Sequence, residues 1–249
     1  FLCQLSQDQL AKALFPIGHL QKSEVREIAK EADLVTAEKK DSQGLCFIGK
    51  VRLPDFLQQK LEPKTGNVWE IPRDADILRV PRTTLVEKAA PFDFHPKHGF
   101  KRGKHNGAHY YTTGQRKGLS IGGSPLPLFV LGVNTTYNAI YVGQGEDHSG
   151  LYRDALFIKM SEVHWVREDL SLEGGDTCTY DVRIRYLQPL VKATLHREEE
   201  GIYIAFETPE KAITPGQFAA WYSGEELIGS GTKIGERRVG KECRSRWSP

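Results

Sequence analysis

Methionine is almost missing from this sequence: Met160 is the only one in 249 residues, and the chain opens "FLCQLSQ". Phe1 is therefore read as lying inside a longer natural chain. Cysteine is nearly as scarce. Cys3, Cys46, Cys178 and Cys243 stand far apart, with no CxxC pair and no histidine at metal-ligand spacing. That disfavours a zinc site or a disulfide framework and fits a reducing, cytoplasmic compartment. No apolar run approaches the roughly 18 residues that span a bilayer, so neither a membrane segment nor a signal peptide is expected. Neither sign of charge dominates, with 34 Lys and Arg against 32 Asp and Glu. The segment 236–249, "ERRVGKECRSRWSP", has no amphipathic period and reads like translated adapter sequence, a non-native tail, rather than a basic arm. Removing its +3 from the net +2 leaves −1, so bulk basicity is no argument for nucleic acid.

What remains is an ordinary globular composition, 39% hydrophobic and 27% charged, in a chain long enough to bury a real core. Residues 6–34 read as two helices. Ser6 and Gln9 form a capping-box pattern ahead of Leu10, Ala13 and Leu14; Ser23 is a candidate N-cap for a second helix facing Val25, Ile28, Ala29 and Ala32 inward. From about residue 51 the texture changes, because Pro54, Pro63, Pro72, Pro81, Pro91 and Pro96 break the chain into short β-like runs. Residues 74–104 read as a long loop or insertion. From 151 onward, strand signals recur between turn residues in "ALFIKMSEVHWV", "CTYDVRIRYL", "LVKATLHR", "GIYIAFET" and "FAAWYSGEELIGSG", the pattern of a small antiparallel barrel.

Four short segments carry chemistry. "KKDSQGLCFIG", residues 39–49, sets Cys46 in an apolar run beside Lys39, Lys40 and Lys50. On the residues alone a small buried hydrophobe leads, and a thiolate lowered by those lysines is the alternative. "GKHNGAHYYTTGQRKGLSIGG", residues 103–123, puts Arg116 and Lys117 on a glycine-bracketed turn suited to phosphate, or simply solvated. Tyr110 and Tyr111, read as strand neighbours, offer a stacking surface, with one of the two turned to the core. In "RIRYLQ", residues 183–188, a strand would project Arg183 and Arg185 to one face. "ITPGQ", residues 213–217, is a Pro-Gly turn presenting Gln217.

These pieces, with "FPIGHLQKSEVREIA" and "VGQGEDH", run from residue 1 to about 234 in an order that resembles the tRNA-specific 2-thiouridylase family (MnmA/TrmU). The resemblance implies an enzyme that replaces the 2-oxygen of the wobble uridine of tRNA with sulfur, using ATP with Mg2+ to adenylate the base. Cys46 matches the position of the persulfide-carrying cysteine. A second cysteine in the N-terminal domain completes the exchange, chemistry with which a disulfide bond is associated. The resemblance also assigns tRNA contact to Arg185, Tyr186 and Gln217; the same role for Arg116 and Lys117 is inferred from charge. Expected partners are tRNA and a sulfur-donor protein or cysteine desulfurase relay, for a monomer of bacterial type; a mitochondrial homologue stays open.

The implied fold is an α+β fragment. Residues 1–50 would be the C-terminal remnant of a PP-loop ATP-pyrophosphatase domain and 51–150 a mostly β central domain with an insertion near 74–101. Residues 151–235 would form a barrel like the second domain of elongation factor Tu. The "SGGxDS" phosphate loop and the partner cysteine are missing, so ATP would be held by a domain upstream of Phe1 and the isolated chain would not thiolate. "GSPLPLFVLGVN" lacks an expected tryptophan, and "GSGTKI" departs from the usual triple glycine. The competing reading is a non-catalytic RNA-binding module whose Cys46 is merely buried.

Overall fold

The computed structural model describes residues 2–39, 61–119, 121–186 and 188–233. It is mostly β, with few and short helices. The segment around Cys46, the tail 236–249, and the expected domain boundaries at 50 and 235 lie outside the described residues. The chain forms two compact units, Leu5–Pro63 and a larger one made of Phe1–Gln4 with Lys64 onward.

The smaller unit contains the helices Gln7–Leu10 and Lys22–Glu31. The capping box at Ser6 is present: the Ser6 hydroxyl accepts from the Gln9 amide and the Gln9 side chain accepts from Ser6 N at 2.9 Å. This helix nevertheless ends after one turn, leaving Ala13 and Leu14 outside it. Pro16 disfavours helical backbone at Phe15, and the chain turns instead. The second helix is capped at Gln21, not Ser23. Glu24 reaches back to accept the Gln21 amide at 2.5 Å, and the helix starts two residues earlier than the serine suggests.

In the larger unit, four strands form one sheet: β1 (Gly66–Glu70), β2 (Phe100–His105), β3 (Leu128–Asn134) and β4 (Ala139–Gln144), ordered β2-β1-β4-β3. The β1–β4 pair is parallel and the others antiparallel. β4 is interior in the sheet and covered on both faces. Ile140 and Val142 join Val68, Leu119 and Val130 in one cluster, while Ala139 and Tyr141 join Ile71, Phe94 and Phe129 in another. A run apolar at consecutive positions, "AIYV", suits such a doubly buried strand.

The supposed loop at 74–104 is a folded cover. It holds helices Asp76–Arg79 and Leu85–Ala89 and then β2. Thr84 and Glu87 form a capping box, and the backbone and hydroxyl donors of Thr83 and Thr84 lower the Glu87 carboxyl to about 2. Ala89 packs on Ala155 and Tyr203. The prolines that suggest a loop sit between these elements rather than within them.

Seven antiparallel strands follow: β5 (Tyr152–Lys159), β6 (Val163–Trp165), β7 (Thr177–Arg183), β8 (Val191–Glu198), β9 (Gly201–Lys211), β10 (Phe218–Ser223) and β11 (Glu226–Thr232), ordered β5-β9-β8-β7-β10-β11-β6. The sheet curls part-way towards the expected antiparallel barrel; among the described residues β5 does not pair with β6, which leaves two edges. The curl brings β5 against β11, where a Cβ added to Gly231 would lie 2.6 Å from Ile158 Cγ2. Trp221, fully buried, centres the core among Leu156, Ile158, Val182, Ile204 and Ile228.

Candidate nucleic-acid interface

The loop after β9 is where the separated motifs meet. Ala212 has φ 51, a left-handed conformation costly for a residue with a Cβ. Its carbonyl is held by the Thr214 hydroxyl at 3.1 Å and by the Arg185 guanidinium, which also donates to the Lys211 carbonyl at 3.0 Å. Arg153 donates to the Ile213 carbonyl at 2.6 Å. The glycine-bracketed turn of the central region abuts the same loop. Gly114 has φ +85, and a Cβ there would fall 2.5 Å from the Ala212 Cβ. The "GEDH" segment joins through Glu146, which accepts from Lys211 Nζ at 2.6 Å; that bond, with Arg116 adding, lowers the Glu146 carboxyl.

Each expected contact residue thus has a place. Arg116 and Lys117 are exposed, on a turn held by Gln115, which donates to the Lys117 carbonyl at 2.8 Å. Tyr186, 81% exposed, stands free for stacking. Gln217 is exposed after the Pro215-Gly216 turn, where Gly216 has the positive φ a type II turn needs. Arg185 is different, because its guanidinium is half-buried and engaged with loop carbonyls; burial lowers its pKa.

Two expectations change. Arg183 and Arg185 do not pair on one strand face, because β7 ends at Arg183 and the chain bends; Arg183 sits 6.0 Å from the Tyr222 ring instead. Tyr110 and Tyr111 are not strand neighbours: Tyr110 ends a 3-10 turn over His109, and Tyr111 packs on the central core. His148 of "VGQGEDH" is fully buried, bonding Ile71 O through Nε2 at 3.1 Å and accepting the Gly150 amide at Nδ1. It is a structural imidazole, its pKa lowered by burial.

Sequence reasoning missed Lys233, which is 2% exposed. Its ammonium donates to the Ile184 carbonyl at 2.7 Å and reaches Gln217 Oε1 at 3.4 Å. Burial pushes its pKa down to about 7, and Arg185 and Arg153 add repulsion. The signal available was a lysine in "GSGTKI", where a strand residue facing the core is expected. Cys3 and Cys178 are free thiols, and no disulfide occurs among the described residues.

Family models match along the chain: a tRNA methyl transferase HUP domain over residues 1–50, a tRNA methyl transferase PRC-barrel domain over 92–144 and an aminomethyltransferase β-barrel domain over 156–232. The tRNA-specific 2-thiouridylase MnmA of Christiangramia forsetii is 56% identical over 93% of this chain and 60% of its own length. That of Flavobacterium johnsoniae has the same identity and coverage, and MnmA 2 of Geobacillus kaustophilus is 42% identical over 93% of this chain and 54% of its own. The chain belongs to the tRNA-specific 2-thiouridylase family. It spans about 60% of the length of the first two thiouridylases. Among the described residues no helix is long and apolar enough to cross a membrane.

Proposed function

We propose that this chain is part of a tRNA-uridine 2-sulfurtransferase and supplies its tRNA-docking surface and its sulfur-carrying cysteine. The observation that carries the docking half is the convergence on residues 211–217. Arg116 and Lys117, Tyr186 and Gln217 come from three separated segments tied to one loop, and they offer two cations for phosphate, an exposed ring for a base and an amide for a nucleotide edge. Arg185 serves that surface by holding the loop rather than by offering a free guanidinium. The relatives' names supply the reaction.

Cys46 lies outside the described residues, and its role rests on its motif. Its thiolate would attack the outer sulfur of a donor persulfide, such as a cysteine desulfurase provides, and the donor thiolate would leave. The Cys46 persulfide then delivers that sulfur to C2 of the uridine as the activated oxygen departs. A second cysteine thiolate attacks Cys46 Sγ, frees the sulfur onto the base and leaves a disulfide, which an external thiol reduces. ATP supplies the leaving group at the uridine oxygen. The phosphate-loop pattern does not occur in these 249 residues, so no ATP contact is assigned to them.

Sulfur loading tests the cysteine. With a cysteine desulfurase and cysteine, mass spectrometry should locate added sulfur on Cys46, and Cys46→Ser should abolish it. Loading confined to Cys3 or Cys178, or none while the chain still binds tRNA, would favour the non-catalytic RNA-binding module instead.

A further inference from the structure

Lys233 occupies an unusual place. It follows β11 directly and is almost wholly buried, yet its ammonium faces backbone and amide oxygens rather than a carboxylate. The charged groups around it are Arg153 on β5 and Arg185 after β7, both cationic; on β9, Glu210 accepts from Gln188 and Lys211 is paired with Glu146. A buried ammonium without a counterion is costly, so the three-dimensional setting must hold it there through its bonds.

Those bonds join two segments. Ile184, whose carbonyl takes the 2.7 Å bond, directly precedes Arg185 and Tyr186. Gln217 is bound twice, its side chain at 3.4 Å from Nζ and its carbonyl at 2.9 Å from the Lys233 amide, while the Gly216 amide donates to the Lys233 carbonyl at 2.9 Å. We propose that Lys233 is a positioning residue for RNA binding: it fixes the spacing between the segment that presents Tyr186 and the turn that presents Gln217, and touches no phosphate itself. This rests on the docking reading above. It also extends it, because a residue at 2% exposure cannot meet the RNA backbone.

The test is a double-mutant cycle on tRNA affinity with the 249-residue chain, measured as a function of salt. Lys233→Met should weaken binding about fivefold in the parent background and leave it nearly unchanged in a Tyr186→Ala, Gln217→Ala background. Its salt slope should stay that of the parent, whereas a lost phosphate contact would lower the slope by about 1. Equal loss in both backgrounds, a lowered slope, or full affinity in a folded Lys233→Met protein would each overturn the proposal. If Lys233→Met does not fold, affinity of the parent chain from about pH 6 to about pH 9 replaces it: deprotonation should weaken binding, and the Tyr186→Ala, Gln217→Ala variant should be flat. A parent curve as flat as the variant's would sink the proposal. Should Tyr186→Ala with Gln217→Ala bind tRNA as well as the parent, the docking reading itself fails and takes this inference with it; a failure of Lys233 alone leaves that reading intact.

Discussion

Arginines 116 and 185 differ in what surrounds them, and that difference decides what each can do for RNA. Arg116, with Lys117, projects from a turn whose backbone is already satisfied through Gln115. Arg185 is spent on the Lys211 and Ala212 carbonyls. Replacing Arg116 and Lys117 together by Gln should lower the salt slope of tRNA binding by about 2 and leave the melting temperature unchanged. Arg185→Gln should leave the slope alone and cost about 1–3 kcal/mol of stability, since it strips donors from two loop carbonyls. Salt titration and chemical denaturation of the same two variants separate these roles; a slope change in Arg185→Gln would return that guanidinium to the RNA.

Between elements, the contact of Gly114 with Ala212 locks the basic turn against the β9 loop. Gly114→Ala is disfavoured twice, by its φ of +85 and by the 2.5 Å approach to the Ala212 Cβ. It should destabilise by about 1–3 kcal/mol. Ala212→Gly removes the opposing methyl and suits its own φ of 51, so it should recover part of that loss in the double variant. Strictly additive energies from urea unfolding would show that the two loops do not press on one another. Much at this scale was legible in the sequence. Alternation in "ALFIKMSEVHWV" and "LVKATLHR" reports strands that bury one face, and Pro-Gly at 215–216 reports its turn. The fold of 74–104 was obscured because proline density outweighed the Thr84–Glu87 capping box. At the site, exposed residues on turns could be found by motif, but the engagement of Arg185 and the burial of Lys233 depend on which loop folds over them. No local pattern encodes that.

For the whole molecule, three buried bases make stability rise with pH. His148 and His105 have pKa values lowered by burial, so in the window below about 6.5 the unfolded chain binds protons that the folded imidazoles resist. Their contribution is full above that value and is lost as pH falls through the folded pKa. Lys233, at about 7 against roughly 10.4 when free, carries the same sign through a higher window: its stabilising effect is complete above about pH 10.4 and is lost as pH falls towards 7. Urea midpoints should therefore climb from about pH 5 to about pH 9, and Lys233→Met should flatten the alkaline part of that climb. A parent and a variant that rise in parallel above pH 7 would contradict it.

The Ser230 hydroxyl, buried in β11, donates to the Cys3 carbonyl at 2.5 Å and accepts from the Gln4 side chain at 2.7 Å. These bonds join positions 226 or 227 residues apart; with the sheets formed, the chain still to be closed is Leu5–Pro63, at an entropic cost of about 4 kcal/mol. On a ribosome, the segment at Cys3 must wait for β11 to emerge, so the larger unit is finished last-to-first. Among the described residues β11 is the last strand, and Ser230→Ala should lengthen the time Cys3 takes to join it without disturbing the sheets already formed.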